Sequence, residues 1–238
     1  MQFMTLDRNG VIIAMVMGAI MLVSGGAQGL YFLLLMVYFV VVSGIVTYIK
    51  RSRKKKMGLY QGTRGPKNVI ANGLMPLILA VCVLLSDVFG LQSIVLVIMI
   101  GFVASVASVM ADKFSSEIGV LDGTPVELFS FKKVEKGKSG AVTPLGMLAG
   151  FLGSFIVAAT IFLAPSVNLF GSGSFSALSS NEMGMIATII VFAGFIGTIV
   201  DSVFGYFEER GYGNKYTSNF ICSVIGGVVG MALFVVMV

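Results

Sequence analysis

The sequence predicts an all-α membrane protein, a polytopic bundle of about seven transmembrane helices. Hydrophobic residues make up 57% of its 238 residues, and its mean hydropathy is +0.99. Only 11% of the residues are charged, whereas a soluble domain carries about 25%. Several apolar runs approach the roughly 20 residues that cross a bilayer as a helix. This composition excludes a nucleic-acid-binding module, a disordered chain and an ordinary soluble enzyme.

Seven apolar segments are candidate spans. They are Val11–Val23, Leu30–Ile49, Leu74–Phe89, Leu91–Met110, Leu145–Ala164, Met183–Gly205 and Phe220–Val238. The first is short and runs into a glycine-rich turn at 24–29, and we favour a full helix over half of a re-entrant pair. It lacks a small-residue cleavage site followed by a polar mature domain, so we expect it to be retained. Pro76 predicts a bent or broken start of the third span.

The cations are confined to one side of this topology. All 16 Lys and Arg residues lie in the segments 1–10, 50–73, 111–144 and 206–219, and the other side carries only Asp87 and Glu182. The positive-inside rule therefore predicts a multi-pass protein of the cell membrane with its N-terminus and active site at the cytoplasmic face. We treat 1–238 as a single transmembrane domain, with a basic loop at 50–73 and a catalytic loop at 111–144. The basic run at 50–56 is expected to meet anionic headgroups.

The residue inventory restricts the chemistry. Histidine is absent, and the two cysteines, Cys82 and Cys222, lie in separate apolar runs. Histidine-based acid–base catalysis, zinc sites and a disulfide framework are therefore not supported. Carboxylates, amides, hydroxyls and cations remain, and these groups suit hard cations and phosphates.

Two spans carry a stripe of small residues that ends in an aspartate. The stripes are Gly101, Ser105, Ser108 and Asp112, and Gly194, Gly197, Thr198 and Asp201; a third, without an acid, contains Asn219, Ser223, Gly226 or Gly227, and Gly230. Helical spacing puts each stripe on one face, where small residues favour close helix packing. Two acids at matched depth repel each other unless a cation or a proton lies between them. A magnesium–phosphate site explains the pair, and a structural or proton-relay pair is left open.

Two further segments are suited to binding phosphate. Segment 62–73 carries Arg64 and Lys67, with the amides of Asn68 and Asn72 four residues apart on one face if this stretch is helical. Segment 135–146 is a glycine-containing turn that opens into a helix and carries a Lys-Ser pair, and such a turn either cradles an anion or is a plain loop. Between these segments, alternation at 126–131 predicts a short strand or hairpin.

Four motifs in order resemble those of one membrane-protein family. They are Asp112–Gly119, which reads as Asp-x-x-x-Ser-Glu-x-Gly; the Arg-Gly…Asn-Gly segment Arg64–Gly73; the turn Gly137–Thr143; and Gly197–Gly205, with a second Asp-Ser pair. The family is the integral membrane group that includes plant phytyl-phosphate kinase.

This resemblance implies a prenyl-phosphate kinase that uses CTP and Mg²⁺ to convert a prenyl monophosphate into the diphosphate. It implies catalytic and metal-binding roles for Asp112, Glu117 and Asp201, and the prenyl chain is expected along the small-residue stripes. The nucleotide- and phosphate-binding candidates are Arg64, Lys67, Asn68, Asn72, Lys113, Ser116, Lys138, Ser139 and Asn219. Lys113 and Lys138 depart from the family pattern, and the element before the last span, which contains Lys215, keeps its Asn but lacks its acid.

Two other functions remain open at this stage. A cytidylyltransferase that makes a CDP-lipid would use the same nucleotide and ions but release pyrophosphate. An ion or solute transporter would use Asp112 and Asp201 as intramembrane ligands. The absence of matching polar groups on the other side favours an enzyme that works from one face. Lipid and nucleotide are the expected partners, nucleic acid is not expected, and a homodimer is left open.

Overall fold

The computed structural model describes residues 4–167 and 174–237, and these ranges are mainly helical. The helices are α1 Arg8–Ser24, α2 Gly29–Tyr48, α3 Arg51–Lys56, α4 Pro66–Val88, α5 Gln92–Gly119, α6 Pro144–Ala158, α7 Ser180–Glu208 and α8 Lys215–Met237. The strands are β1 Val126–Glu127 and β2 Ala141–Val142, and short 3₁₀ segments cover Gly26–Gln28, Ala159–Ser166 and Ser174–Ala177.

Six helical segments among the described residues are long and apolar enough to cross a membrane. They are Gly26–Tyr48, Pro66–Val88, Gln92–Gly119, Pro144–Ser166, Ser180–Glu208 and Lys215–Met237. The predicted first span is α1, a shorter apolar helix of 17 residues that is continuous through its length. The predicted all-α polytopic bundle is confirmed, and the full helix favoured for the first segment matches the structure.

Helices α4, α5 and α7 extend beyond their predicted spans at the same end of the bundle. The third span was predicted to have a bent or broken start, and the break is wrong because α4 runs without interruption from Pro66 and holds Pro76 in its interior. Helices α5 and α7 continue to Gly119 and Glu208. The aspartates of the two stripes therefore lie inside regular helices, whose backbone hydrogen bonds fix the positions of both residues.

Helix α5 lies at the centre of the bundle. In the most apolar stretch of α5, 78% of the residues are buried inside the bundle. In the corresponding stretches of the other candidate spans, the buried share is 33–44%. It packs against α2, α4, α6, α7 and α8. The rings of Phe32 on α2 and Phe102 on α5 stack with their centroids 3.9 Å apart. This central position gives α5 contact with the other long helices that carry candidate site residues.

The small-residue stripes are the contact surfaces of α5, α7 and α8. A Cβ atom placed on Gly226 of α8 would lie 2.7 Å from Ser108 Oγ of α5, and one on Gly197 of α7 would lie 2.8 Å from Ser108 Cβ. Ser108 also donates a 2.8 Å hydrogen bond to the carbonyl of Cys222. The stripes are therefore filled by helix packing, and the expected path of a prenyl chain along them is wrong.

The connectors α2–α4, α5–α6 and α7–α8 meet at one end of the bundle, which we call the polar end. There, β1 and β2 pair antiparallel, with Val126 opposite Val142. The strand predicted within 126–131 is only two residues long, because the chain turns back after Glu127 and Phe131 has a positive φ of 52°. The glycine turn at 137–140 follows in the same connector.

Candidate functional site

A cavity of about 450 Å³ opens at the polar end and collects most of the predicted site residues. The predicted residues that line it are Arg64, Asn68, Asn72, Asp112, Lys113, Ser116, Glu117, Lys138, Ser139, Asp201 and Asn219. Lys67, in the first turn of α4, is exposed and is not part of the lining. The volume falls within the range of about 300–1,000 Å³ that is typical of small-molecule sites.

The carboxyl groups of Asp112 on α5 and Asp201 on α7 lie within hydrogen-bonding distance of each other. Lys215 and Arg64 are close enough to act electrostatically on Asp112. Asp201 Oδ1 is buried and has no hydrogen-bond partner among the described residues. A buried carboxylate oxygen without a donor costs free energy, so a cation or a hydrogen-bond donor at this oxygen would be stabilising.

This acid pair has the donor chemistry of a magnesium site. Mg²⁺ is commonly held by one or two carboxylates together with substrate phosphates and water. Asp112 and Asp201 supply two carboxylates, and the unpartnered Oδ1 supplies a free oxygen. Within residues 4–167 and 174–237, no group of three or more His, Cys, Asp or Glu side chains is arranged to hold a metal. A metal here would therefore need further ligands from water or from a bound molecule.

Three asparagines form a chain along the cavity wall between α4 and α8. Asn219 Nδ2 donates to Asn72 Oδ1 over 3.3 Å, and Asn72 Nδ2 donates to the Asn68 carbonyl over 2.7 Å. Pro76 lacks a backbone N–H, so it cannot donate to the carbonyl of Asn72 as another helix residue would. The amides tie α4 to α8, and all three residues line the same cavity as the acid pair.

Glu117 occupies a separate cluster on the last turn of α5. It accepts hydrogen bonds from Lys54 at 2.6 Å, Arg64 at 3.2 Å and Thr47 at 3.0 Å, and it also pairs with Lys113. Three cations around one carboxylate leave the cluster net positive. Glu117 is thus surrounded by protein donors, whereas the acid pair on α5 and α7 is not.

Arg64 connects the Glu117 cluster to the acid pair. Burial lowers the pKa of its guanidinium, and the nearby carboxylates of Glu117 and Asp112 act in the opposite direction. Its Nε is buried with no hydrogen-bond partner among the described residues. A guanidinium has five N–H donors and binds phosphate in a bidentate fork. Arg64 therefore holds an unused donor at the cavity wall.

The glycine turn packs against α7. A Cβ atom on Gly140 would lie 2.7 Å from the carbonyl oxygen of Ser202, and Gly140 has a positive φ of 72°. Glycine meets both requirements without strain. The amide of Ser139 donates to Glu209 Oε1 over 2.9 Å, and Lys138 pairs with a carboxylate of β1 at 3.6 Å. Strand β2 separates the turn from α6, so the helix does not begin directly after it as predicted.

Several residues at the polar end were not among the predicted site residues. Lys54 lies in the basic run at 50–56 but is fully buried, whereas the other cations of the run are exposed. Lys215, Ser202 and Glu208 also line the cavity. Glu208 continues the second stripe at helical spacing, so the sequence already placed it on the same face as Asp201. Nothing in the local sequence distinguishes Lys54 from the other cations of its run.

Comparison with known proteins shows relatives that match most of this chain. A membrane protein of Methanocaldococcus jannaschii, named as uncharacterised, is 32% identical over 231 residues, which cover 96% of this chain and 86% of that protein. The chloroplast protein VTE6 of Arabidopsis thaliana is 30% identical over 241 residues, 98% of this chain and 65% of VTE6. A Synechocystis membrane protein, also named as uncharacterised, is 31% identical over 196 residues, 81% of this chain and 67% of its own length. No solved structure matches the chain.

The bundle and its polar cavity define an integral, multi-pass membrane protein with an internal cavity at one end. The chain matches the family described as integral membrane protein DUF92 over residues 1–230, and it belongs to that family. The family membership that the four motifs predict is confirmed by this match and by the relatives above.

Proposed function

We propose that this protein is a CTP- and Mg²⁺-dependent prenyl-phosphate kinase. One observation carries the proposal: an acid pair with an unpartnered carboxylate oxygen and an arginine with an unpartnered donor line the same cavity. The first suits a divalent cation, and the second suits a phosphate. The motifs that resemble those of the phytyl-phosphate kinase family are the segments that carry these groups.

The reaction joins an oxygen of the lipid monophosphate to the γ-phosphorus of the nucleotide. As that P–O bond forms, the bond from the γ-phosphorus to the β–γ bridging oxygen breaks, and CDP leaves with the electron pair. A metal held by Asp112 and Asp201 would neutralise charge on the β- and γ-phosphates. Arg64, Lys138 and Lys215 would orient the phosphates and balance their charge.

The absence of histidine is compatible with this chemistry. A monophosphate is already an anion near neutral pH, so its attacking oxygen needs no strong general base. The contribution of the protein is then to hold two phosphate groups in line and to balance their charge. The cluster around Glu117 supports this role, because its net positive charge adds to the attraction for phosphate at the polar end.

We place the polar end at the cytoplasmic face of the cell membrane, where nucleotides are available. The restriction of Lys and Arg to the segments at this end supports that orientation. The exposed cations of the 50–56 run are expected to lie against anionic headgroups. They are Lys50, Arg51, Arg53, Lys55 and Lys56.

The test is a turnover assay on the purified protein in detergent or lipid nanodiscs. Phytyl or geranylgeranyl monophosphate is supplied with Mg²⁺ and, in turn, CTP, ATP, GTP or UTP labelled at the γ- or the α-phosphorus. The proposal expects γ-label, and no α-label, in a lipid diphosphate, with CTP as the preferred donor. The Asp112→Asn protein is the matched inactive control.

Two results would contradict the proposal. Transfer of α-label to lipid with release of pyrophosphate would show a cytidylyltransferase. No labelled lipid with any nucleotide would reject both reactions and favour a transporter that uses the acid pair as ion ligands.

A further inference from the structure

The cavity has a second, apolar arm that the phosphate chemistry does not use. Beyond the polar residues its lining continues between α1, α2 and α4, where it includes Met17, Met21, Met36 and Val40. Gly73 of α4, next to the cavity asparagine at position 72, belongs to both parts of the lining. The cavity is thus polar at one end and apolar at the other, as a site for an amphipathic molecule requires.

The apolar arm is open to the side and closed at depth. Met15 on α1 and Val37 on α2 line the cavity, yet 69% and 46% of their surfaces are exposed on the flank of the bundle. Met21, further along α1, lines the cavity with none of its surface exposed. A chain that entered between α1 and α2 would therefore come from the bilayer and stop against the buried part of α1.

The arm is bounded by side chains that can adjust to a flexible occupant. A Cβ atom on Gly73 would lie 2.8 Å from Met17 Cε and 3.7 Å from Met36 Cε, so both methionines end beside this glycine. Methionine is unbranched and flexible, and it fills irregular spaces against varied apolar ligands. Gly18 brings α1 close to α2, since a Cβ atom there would lie 2.9 Å from Leu33 Cδ1.

We propose that this arm binds the hydrocarbon chain of the lipid monophosphate, and that the chain enters sideways from the bilayer between α1 and α2. This proposal rests on the kinase function proposed above. The continuity of the cavity argues for one molecule with both properties: its phosphate lies at Arg64 and the acid pair, and its chain lies along α1 and α2.

The first test maps the chain directly and does not require turnover. A twenty-carbon lipid monophosphate with a diazirine at the end of its chain is irradiated with the protein in nanodiscs, and adducts are located by mass spectrometry. The proposal expects adducts within 8–48, removed by excess unlabelled lipid monophosphate. Adducts concentrated within 144–237, or adducts that unlabelled lipid does not remove, would overturn it.

The second test fills the arm. Met36→Trp should lower the competable adduct yield about ten-fold, because the indole occupies space that the chain needs. Leu34→Trp is the matched control, since Leu34 lies on the same helix, is exposed and does not line the cavity. Val40→Phe repeats the test if Met36→Trp does not fold. An equal effect of the lining and control variants would overturn the proposal.

The two proposals fail in different ways. Adducts within 8–48 without any lipid diphosphate would reject the kinase and retain the chain-binding arm. Formation of diphosphate with adducts only within 144–237 would retain the kinase and reject the arm. Where turnover is measured, Met36→Trp should lower kcat/KM for a twenty-carbon substrate about ten times more than for a five-carbon one.

Discussion

Lys54 of α3 donates a 2.6 Å hydrogen bond to Glu117 of α5, although the two residues are 63 positions apart. Lys54 also donates to the carbonyl of Thr47 over 2.7 Å, at the end of α2. The buried ammonium of Lys54 thus links the short basic helix α3 to α5, the most buried helix of the bundle. The position of the basic connector is therefore coupled to the end of α5 that carries Asp112.

Neutralising either member of the acid pair should abolish turnover without unfolding the protein. Asp112→Asn and Asp201→Asn are each expected to lower kcat by about 100-fold or more, because charge on the transferring phosphate loses its counter-ion site. Thermal stability should be equal or higher, since the repulsion between two carboxylates is removed. Asp87→Asn, an exposed acid at the other end of the bundle, is the control. Near wild-type turnover in either pair variant would reject the metal site.

Magnesium should stabilise the protein through the same pair. At a concentration of about 100 times its Kd, one bound ion adds about 2.7 kcal/mol to the free energy of unfolding. We expect Mg²⁺ with a non-hydrolysable nucleotide to raise the melting temperature of the wild type, and EDTA to reverse the increase. An equal increase in Asp112→Asn and Asp201→Asn would show that the ion binds elsewhere.

Glu117 should act mainly on stability. Glu117→Gln leaves Lys54, Lys113 and Arg64 close together without a counter-ion, and breaking a buried ion pair in this way costs about 3–5 kcal/mol. Lys54→Met should cost less, because Glu117 keeps two cations. Thermal unfolding in detergent measures both. Glu135→Gln removes an exposed carboxylate and should stay within about 0.5 kcal/mol of the wild type. A Glu117→Gln protein as stable as that control would contradict this role.

Arg64 and Lys67 are two predicted phosphate ligands that the structure separates. Arg64 lines the cavity with an unpartnered Nε, whereas Lys67 is exposed outside it. Arg64→Gln should therefore raise the KM for nucleotide or lipid phosphate about ten-fold or more, the effect of losing a charge-assisted hydrogen bond. Lys67→Gln should leave both KM values within about two-fold of the wild type, as expected for an exposed charge. Steady-state kinetics of the two variants measure these KM values. Equal effects of Arg64→Gln and Lys67→Gln would contradict the assignment of Arg64 as a phosphate ligand.

The hairpin at the polar end should loosen in acid. The hydroxyl of Ser130, assisted by Arg210 and Lys138, holds the pKa of Glu127 below its usual value, which is about 4.3. A carboxylate with a lowered pKa stabilises the fold above its unfolded pKa, and this contribution is lost as the pH falls through the folded pKa. Hydrogen exchange of 124–143, corrected for intrinsic rates, should therefore increase below about pH 4 in the wild type. Glu127→Gln should already show the faster exchange at neutral pH, and an unchanged rate would contradict the argument.

Much of the architecture was predictable because bilayer physics restricts the choices. Apolar length was sufficient to predict the all-α bundle. The spacing of three and four residues predicted the face of each stripe, and the place of Asp112 and Asp201 at the ends of their apolar runs predicted that they lie at one depth. The ends of the helices were less predictable. Polar residues such as Asn68 look like loop residues, but they continue a helix when a cavity and neighbouring amides accommodate their side chains.

The partners of Glu117 were not predictable from local sequence. Lys54 is one of several adjacent cations, and only the packing of α3 against α2 and α5 determines which of them becomes buried. The location of the apolar arm was missed for a related reason. The small residues of the stripes on α5, α7 and α8 are compatible with either an open groove or a helix contact surface. The close approach of Gly226 to Ser108 shows that they form a contact surface.

The close packing of α5, α7 and α8 also bears on how this protein could diversify. A larger side chain at Gly197 or Gly226 would displace the helices that hold the two aspartates, so substitutions there should be purged by selection. Helices α1 and α2 lie to one side of that unit, and α1 packs mainly on α2 and α4. A mutational library confined to the apolar cavity-lining positions of α1 and α2, away from Thr47, should thus be the efficient route to an altered range of the proposed lipid substrates, with Asp112 and Asp201 left in place.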